Sequence, residues 1–198
     1  LHHNHTYEKV VFDPWQQTTW DVNDTCAPRN QQTGDPRTDP DMASYVAAYF
    51  QALPADPAHP WKTWFEQRST GALGQDEQNA AERAAAHADT PTTAHFDALG
   101  RPFLTVARNR VVCHDHPLDY QPDQADEEVN TRTVLDIEGN QREVFDALGR
   151  VVMRYTYDML GHRIRQQSME AGARWMLGDV AGKPIRAWAS LGHNFTTH

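Results

Sequence analysis

Phe145-Asp146-Ala147-Leu148-Gly149-Arg150-Val151-Val152-Met153-Arg154-Tyr155-Thr156-Tyr157-Asp158-Met159-Leu160-Gly161 is the stretch whose reading decides the fold. It holds two copies of a tetrapeptide, Asp-x-x-Gly, separated by a run of alternating character. Aspartate at the first position of a type I turn can bond its carboxylate to backbone N–H groups two and three residues on. Glycine at the fourth takes a positive φ without a Cβ clash. A type I turn followed by a left-handed glycine is a common hairpin connection. Between the two turns, Val151, Met153, Tyr155 and Tyr157 fall on one face, and Val152, Arg154 and Thr156 on the other. Period-two alternation with β-branched and aromatic residues is the signature of a strand.

The same tetrapeptide recurs on both sides, at Asp97–Gly100, Asp136–Gly139 and Asp179–Gly182, with degenerate members around Gly172 and Gly192. The glycines at 139, 149, 161, 172, 182 and 192 step by 10, 12, 11, 10 and 10 residues. An even period marks one small unit stacked on itself. The intervals from His162 to Gln166, Arg174 to Leu177 and Pro184 to Trp188 also alternate, the last two less cleanly. The expected fold is mainly β: an antiparallel meander of hairpins with one polar face and one moderately apolar face. Asp97, Gly100, Asp136, Gly139, Asp146, Gly149, Asp158, Gly161, Asp179 and Gly182 are its expected structural turns.

Working outward, residues 1–40 read as a first β-hairpin and a loop. Residues 6–12 and 18–22 would be its strands, joined by the Asp-Pro turn at Asp13 and Pro14. Residues 41–90 read as a small helical insertion. Met42, Tyr45, Val46, Tyr49, Phe50 and Leu53 have helical spacing, and Pro54 and Pro57 would stop that helix. Trp61, Trp64 and Phe65 suggest a second short helix, and Gln75 to Ala88 a third, opened by acidic residues. Residues 91–112 read as a strand pair, 113–130 as an acidic loop, and 131–198 as the repeat sheet.

Composition limits the functions. The chain of 198 residues carries 18 Lys and Arg against 27 Asp and Glu, a formal charge of −9, so phosphate-backbone binding is not expected as its main task. No apolar run approaches the roughly 20 residues that cross a bilayer. With 39% hydrophobic residues, a soluble chain with a modest core is expected. The chain begins at Leu1 without a signal peptide, and the strand starting near Asn194 has no turn or cap after it. Both features suggest an excised piece with neighbours on each side. Cys26 and Cys113 belong to no Cys-x-x-Cys pair, and a disulfide between them is unsupported.

Sharper chemistry is only weakly signalled. His2, His3 and His5, and His114 with His116, invite a metal reading, but neither cluster has the spacing of a zinc motif. Solvated loop histidines are the expected reading. The Asp-x-x-Gly carboxylates are too sparse for calcium and have no sign of a catalytic pair. Trp61, Trp64 and Phe65 could dock a partner, although a helix covering the sheet is the plainer expectation. Tyr155, Tyr157, Trp175 and Trp188 could stack on sugar or cargo, although strand packing is expected. Neither a cofactor nor catalysis is expected; a hydrolase built on the histidines ranks last.

Phe-Asp-Ala-Leu-Gly-Arg (96–101 and 145–150) and Tyr-Asp-Met-Leu-Gly-His-Arg (157–163) resemble the YD repeat of the Rhs family. Further stretches are similar to the region joining propeller to repeats in the B component of bacterial insecticidal toxin complexes. These are residues 7–15, 19–25, 87–91, 136–144 and 174–177, so the resemblance covers nearly the whole chain. It implies that the strands belong to a long ribbon spiralling into a hollow shell around a C-terminal toxin. Its partners would be the rest of the shell, the toxin cargo and the complex's channel component, in a secreted or cell-surface setting. Neither the family's propeller nor its self-cleaving carboxylates have a counterpart here. A surface repeat module binding carbohydrate or a partner cell is the alternative expectation.

Overall fold

In a computed structural model of the chain, residues 2–30, 32–42, 44–52, 60–110 and 127–196 are described. The expectations placed on Leu53, Pro54, Pro57, Cys113, His114 and His116, on the last two residues of the 91–112 strand pair and on the acidic loop up to residue 126 lie outside these residues. The described elements are β1 (Lys9–Phe12), β2 (Gln16–Trp20), α1 (Ser44–Ala52), α2 (Trp64–Ser69), α3 (Gln75–Ala86), β3 (Thr92–Phe96), β4 (Pro102–Asn109), β5 (Glu127–Leu135), β6 (Gln141–Phe145), β7 (Val151–Tyr157), β8 (Arg163–Ser168), β9 (Gly172–Gly178), β10 (Pro184–Ala189) and β11 (Asn194–Thr196). The strands form one sheet in sequence order, β1 through β11, so the fold is mainly β and a meander. Consecutive strands pair antiparallel, as where Tyr155 faces Gln166 and Trp175 faces Trp188. Register shifts of the bulge type accompany several turns, at Val134/Leu135, Thr156/Tyr157 and Pro184/Arg186.

The chain divides into two compact units: Leu1–Thr93 with Ala107–Glu128, and Ala94–Val106 with Val129–His198. The first unit has a small core. Cys26, Ala27 and Ala88 are buried together, with Trp64, Phe65, Ala84 and Ala85 packed against them. Thr63 and Glu66 form a capping box at the start of α2, each side chain bonding the other's backbone N–H. Asp76 and Glu77 open α3, and Glu77 pairs with Arg68 of α2 at 2.6 Å.

Polar side chains hold the first unit over long sequence distances. The Lys9 ammonium lies over the Trp20 ring and donates to Asp39 at 2.9 Å, Asp41 at 2.8 Å and the Gln32 carbonyl at 2.7 Å. The Tyr7 hydroxyl donates to the other Asp39 oxygen at 2.7 Å. Burial, the bond to Asp39 and that carboxylate's charge all raise the Tyr7 pKa, so the phenol stays protonated. This cluster is why the first strand is shorter than expected. Thr6 and Tyr7 precede β1 because Tyr7 points to a partner 32 residues on, and β2 starts and ends two residues early. Helix α3 likewise stops at Ala86, not Ala88: the backbone reverses at Asp89, whose φ is 59°.

In the second unit no described residue is buried, although many strand residues are half-buried. The sheet is there held by its ladder and its turns, without a core of its own among the described residues. One boundary is corrected: Glu127–Asn130, expected within the acidic loop, are the first residues of β5.

Candidate functional site

The repeated turns are the most regular chemical feature of the second unit. In each Asp-x-x-Gly turn the glycine N–H donates to the aspartate carbonyl, at 2.9 Å for Gly100, 3.1 Å for Gly139, 3.0 Å for Gly149, 3.2 Å for Gly161 and 2.9 Å for Gly182. The aspartate N–H donates to the carbonyl of the residue after the glycine, for example Asp146 to Arg150 at 3.0 Å. These bonds define a three-residue hairpin loop, a type I turn plus a left-handed glycine. The ladder bond from residue five back to the aspartate carbonyl is lost, because glycine occupies that acceptor. The carboxylate replaces it. In all five turns Oδ1 accepts from the N–H groups two and four residues on, as from Leu148 at 3.0 Å and Arg150 at 2.9 Å onto Asp146. Bonding at two and three residues, the sequence expectation, occurs instead in the first unit, from Trp15 and Gln16 onto Asp13 and from Asn23 and Asp24 onto Asp21.

Gly149 shows why glycine is required. Its φ is 75°, and a Cβ there would meet nothing within 4 Å, so backbone conformation alone selects the residue.

The fifth residue is a partner that sequence reasoning missed. Arg101 donates through Nε to Asp97 Oδ2 at 2.7 Å, and Arg150 does the same to Asp146 at 2.8 Å. Asn140 donates to Asp136 Oδ2 at 3.2 Å, and the His162 ring meets Asp158 Oδ2 at 3.0 Å. The signal was present: every residue following a turn glycine in the five tetrapeptides is Arg, Asn, His or Lys. Arg101 reaches further, to the carbonyls of Asp136 and Ile137 in the next turn, at 3.3 and 3.4 Å.

These bonds set the carboxylates' charge state. The backbone N–H of Arg101, then its guanidinium, holds Asp97 below the usual carboxylate range; Arg150 does the same for Asp146. At Asp136 and Asp158 partial desolvation pulls the other way, but the bonds from Asn140, Glu138, His162 and Leu160 outweigh it. A carboxylate held ionised with both oxygens engaged is a poor general base, which needs a pKa near the working pH.

The degenerate turns do without the carboxylate. Ser168 Oγ accepts from Glu170 and Ala171 at 3.3 Å each. Ala189 closes its loop through backbone bonds alone, to His193 at 2.9 Å and from Gly192 at 3.0 Å, while Ser190 Oγ accepts from Ala173 of the adjoining hairpin at 3.1 Å.

Other sequence candidates take the following places. His2 lies 3.6 Å from Glu8, His3 is exposed, and His5 Nδ1 meets the Lys62 carbonyl at 2.7 Å and stacks on Trp61. Among the described residues no group of three His, Cys, Asp or Glu side chains could hold a metal ion. Trp61 also packs on Phe50 and under Arg37, whereas Trp64 and Phe65 line the small core. Only Trp64 and Phe65 belong to α2; Trp61 precedes its cap. Trp175 and Trp188 stack across β9 and β10, 6.3 Å apart and tilted by 10°, with Arg165 over the first and Arg186 over the second. Tyr155 lies under Arg163, and Tyr157 is half-buried.

One shallow depression in the first unit, about 470 Å³, is lined by Asp21, Asp24, His87 and Thr90 among others. Burial raises the Asp24 pKa, but both its oxygens are engaged, by Asp21 N–H and by Thr90 N–H and hydroxyl. Burial also pushes the Cys26 thiol up to about 11, which makes it inert.

No family model and no curated protein matches this chain. Solved structures do. The chain is similar to the Tc holotoxin pore of Photorhabdus luminescens with a substituted TccC3, at a TM-score of 0.57 and 16% identity over 98% of its length. It is also similar to TcdB2-TccC3-Cdc42 and to TcdB2-TccC3, with TM-scores of 0.59 and 0.56, each at 16% identity over 96% of its length. It spans only 7% of each of those chains. At this identity the likeness establishes the fold alone, a mainly β antiparallel meander.

Proposed function

We propose that this chain is a wall segment of an Rhs-type shell that contains and protects a C-terminal toxin before delivery, with no catalytic role of its own. The observation that carries this reading is the repeat unit itself. Its turns close on themselves, its aspartates are committed to backbone N–H groups, and it has no buried core among its described residues. Such a sheet extends by adding hairpins and works as a surface. The similarity to Tc holotoxin chains over nearly the whole segment supports the same reading. The partners would be the remainder of the shell, its cargo and the channel component of a toxin complex, outside the producing cell.

The test uses the parent reading frame. It should continue with further Asp-x-x-Gly hairpins into a downstream variable toxin domain. In the purified parent protein that domain should resist protease until the shell is unfolded. A downstream domain cleaved as fast in the native protein as in denaturant would overturn the proposal.

A second reading, a surface module binding carbohydrate or a partner cell, draws on one feature: the Trp175–Trp188 stack, with Arg165 over the first ring and Arg186 over the second. Saturable glycan binding lost in Trp188→Ala would favour it.

A further inference from the structure

Of the 18 lysines and arginines in the chain only three are lysines, at positions 9, 62 and 183. Lys62 and Lys183 are exposed, whereas Lys9 is buried with two carboxylates against its ammonium. Every other cation paired with a carboxylate among the described residues is an arginine or a histidine. The difference is chemical. A guanidinium keeps its protons and has no lone pair to offer, but an amine that gives up one proton is a nucleophile.

The surroundings of Lys9 supply what an amide condensation needs. Its Nζ lies 2.9 Å from Asp39 Oδ1, with the two side chains 4% and 0% exposed. Asp41 Oδ2 is 2.8 Å from the same nitrogen and reaches towards solvent. The buried Tyr7 hydroxyl donates to the other Asp39 oxygen, and the buried Trp20 ring covers the ammonium at 4.5 Å. An amine, a carboxyl, a second carboxylate able to carry protons and a donor aimed at the carboxyl oxygen therefore meet at one point. The dry setting adds a driving force. Two charges held away from water are costly, and an amide carries none.

We propose that Lys9 and Asp39 condense after folding into an intramolecular isopeptide bond, with Asp41 as the proton carrier. The ammonium passes one proton to Asp39 Oδ1 along their hydrogen bond, which leaves an amine beside a neutral carboxyl. Nζ attacks Cγ, and the Tyr7 hydroxyl supports the negative charge that develops on Oδ2. Asp41 takes a second proton from nitrogen and hands it to Oδ1, which departs as water. The Nζ–Cγ bond forms and the Cγ–Oδ1 bond breaks. Both protons of the departing water come from the ammonium, so no other reactant is consumed. The bond ties β1 to a residue 30 positions on. It does so in a unit whose core is small and whose Cys26 is free. Closing a loop covalently restricts the unfolded chain, as a disulfide does. The inference holds whether or not the chain is part of a shell wall.

Peptide mapping of the purified parent protein, denatured before digestion, tests it. Trypsin does not cut after an acylated lysine. The digest should therefore hold the peptide that runs through Lys9 to Arg29 joined to residues 38–62, lighter than the two together by one water. Lys9→Arg should abolish the joined peptide. Asp41→Ala retains the Lys9–Asp39 contact, so its circular dichroism should match the parent's. Its joined fraction, in protein of the same age, should fall at least about tenfold. A parent protein that yields only the separate peptides would overturn the inference and leave a plain ion pair. A joined fraction undiminished in Asp41→Ala would overturn the role of Asp41. A loss of water that persists in Lys9→Arg would overturn the bond itself, since it belongs to an aspartate cyclised on its own backbone.

Discussion

Lys9 and Arg150 are both cations paired with aspartates, and they show how differently the two units are held. The Lys9 side chain is 4% exposed and reaches Asp39, 30 residues along the chain. Arg150 is 56% exposed and reaches Asp146, four residues back. The first unit is a small globule whose order depends on distant polar partners meeting in a dry place. The second is a sheet whose turns are each closed within five residues. Distant contacts are gained or lost together, whereas local ones can fail one hairpin at a time. The comparison teaches where each unit is vulnerable.

The largest expected effect is in the first unit. Lys9→Met leaves the Asp39 carboxylate, fully buried, without its cation. Breaking a buried pair by removing one partner costs about 3–5 kcal/mol. Urea unfolding followed by Trp20 fluorescence should show that loss, while protection of β7 amides against hydrogen exchange should hardly change. A loss spread evenly over both units would merge what the structure separates.

Acid should act in the reverse order. Asp97, Asp136, Asp146 and Asp158 have folded pKa values below their unfolded ones. Their stabilisation is present above the unfolded value and is lost as pH falls through the folded one, that is, below about pH 4. Asp24 is shifted the other way by burial, so its protonation relieves the first unit. Exchange measured at stepwise lower pH should release the repeat turns before the core around Cys26. Simultaneous release would count against the carboxylate clamps.

Thr63→Ala, which removes the capping box of α2, should cost the first unit about 1 kcal/mol. The smallest effects belong to the fifth turn residues. Arg101→Ala should lower the melting temperature slightly more than Arg150→Ala, because Arg101 also serves the next turn's carbonyls. Both losses should stay within a few degrees, as exposed ion pairs contribute little. A larger loss in Arg150→Ala would remove the turn-to-turn link from the account.

The same contrast explains what could be read in the chain beforehand. The turns were legible because aspartate and glycine each act on backbone within four residues. The fifth residue escaped because its role is carried from side chain to side chain, and Arg, Asn and His have no common motif letter. In the first unit, Tyr7 read as a strand residue by alternation, yet Asp39 captures its hydroxyl from 32 residues away. The reversal at Asp89 was equally hidden. Its carboxylate accepts from the Trp20 indole and from Asn30, each at 3.0 Å, partners 69 and 59 residues distant. Local patterns cannot announce such meetings.

One comparison of variants tests most directly whether the Asp-x-x-Gly pairs are hairpin bends. Gly149→Val and Ala147→Val place the same side chain at two exposed positions of one turn, two residues apart. Only position 149 has a left-handed φ, and no neighbour crowds it. Thermal unfolding should show a loss of about 1–3 kcal/mol for Gly149→Val and a change within about 0.5 kcal/mol for Ala147→Val. Equal melting temperatures for the two variants would contradict the account.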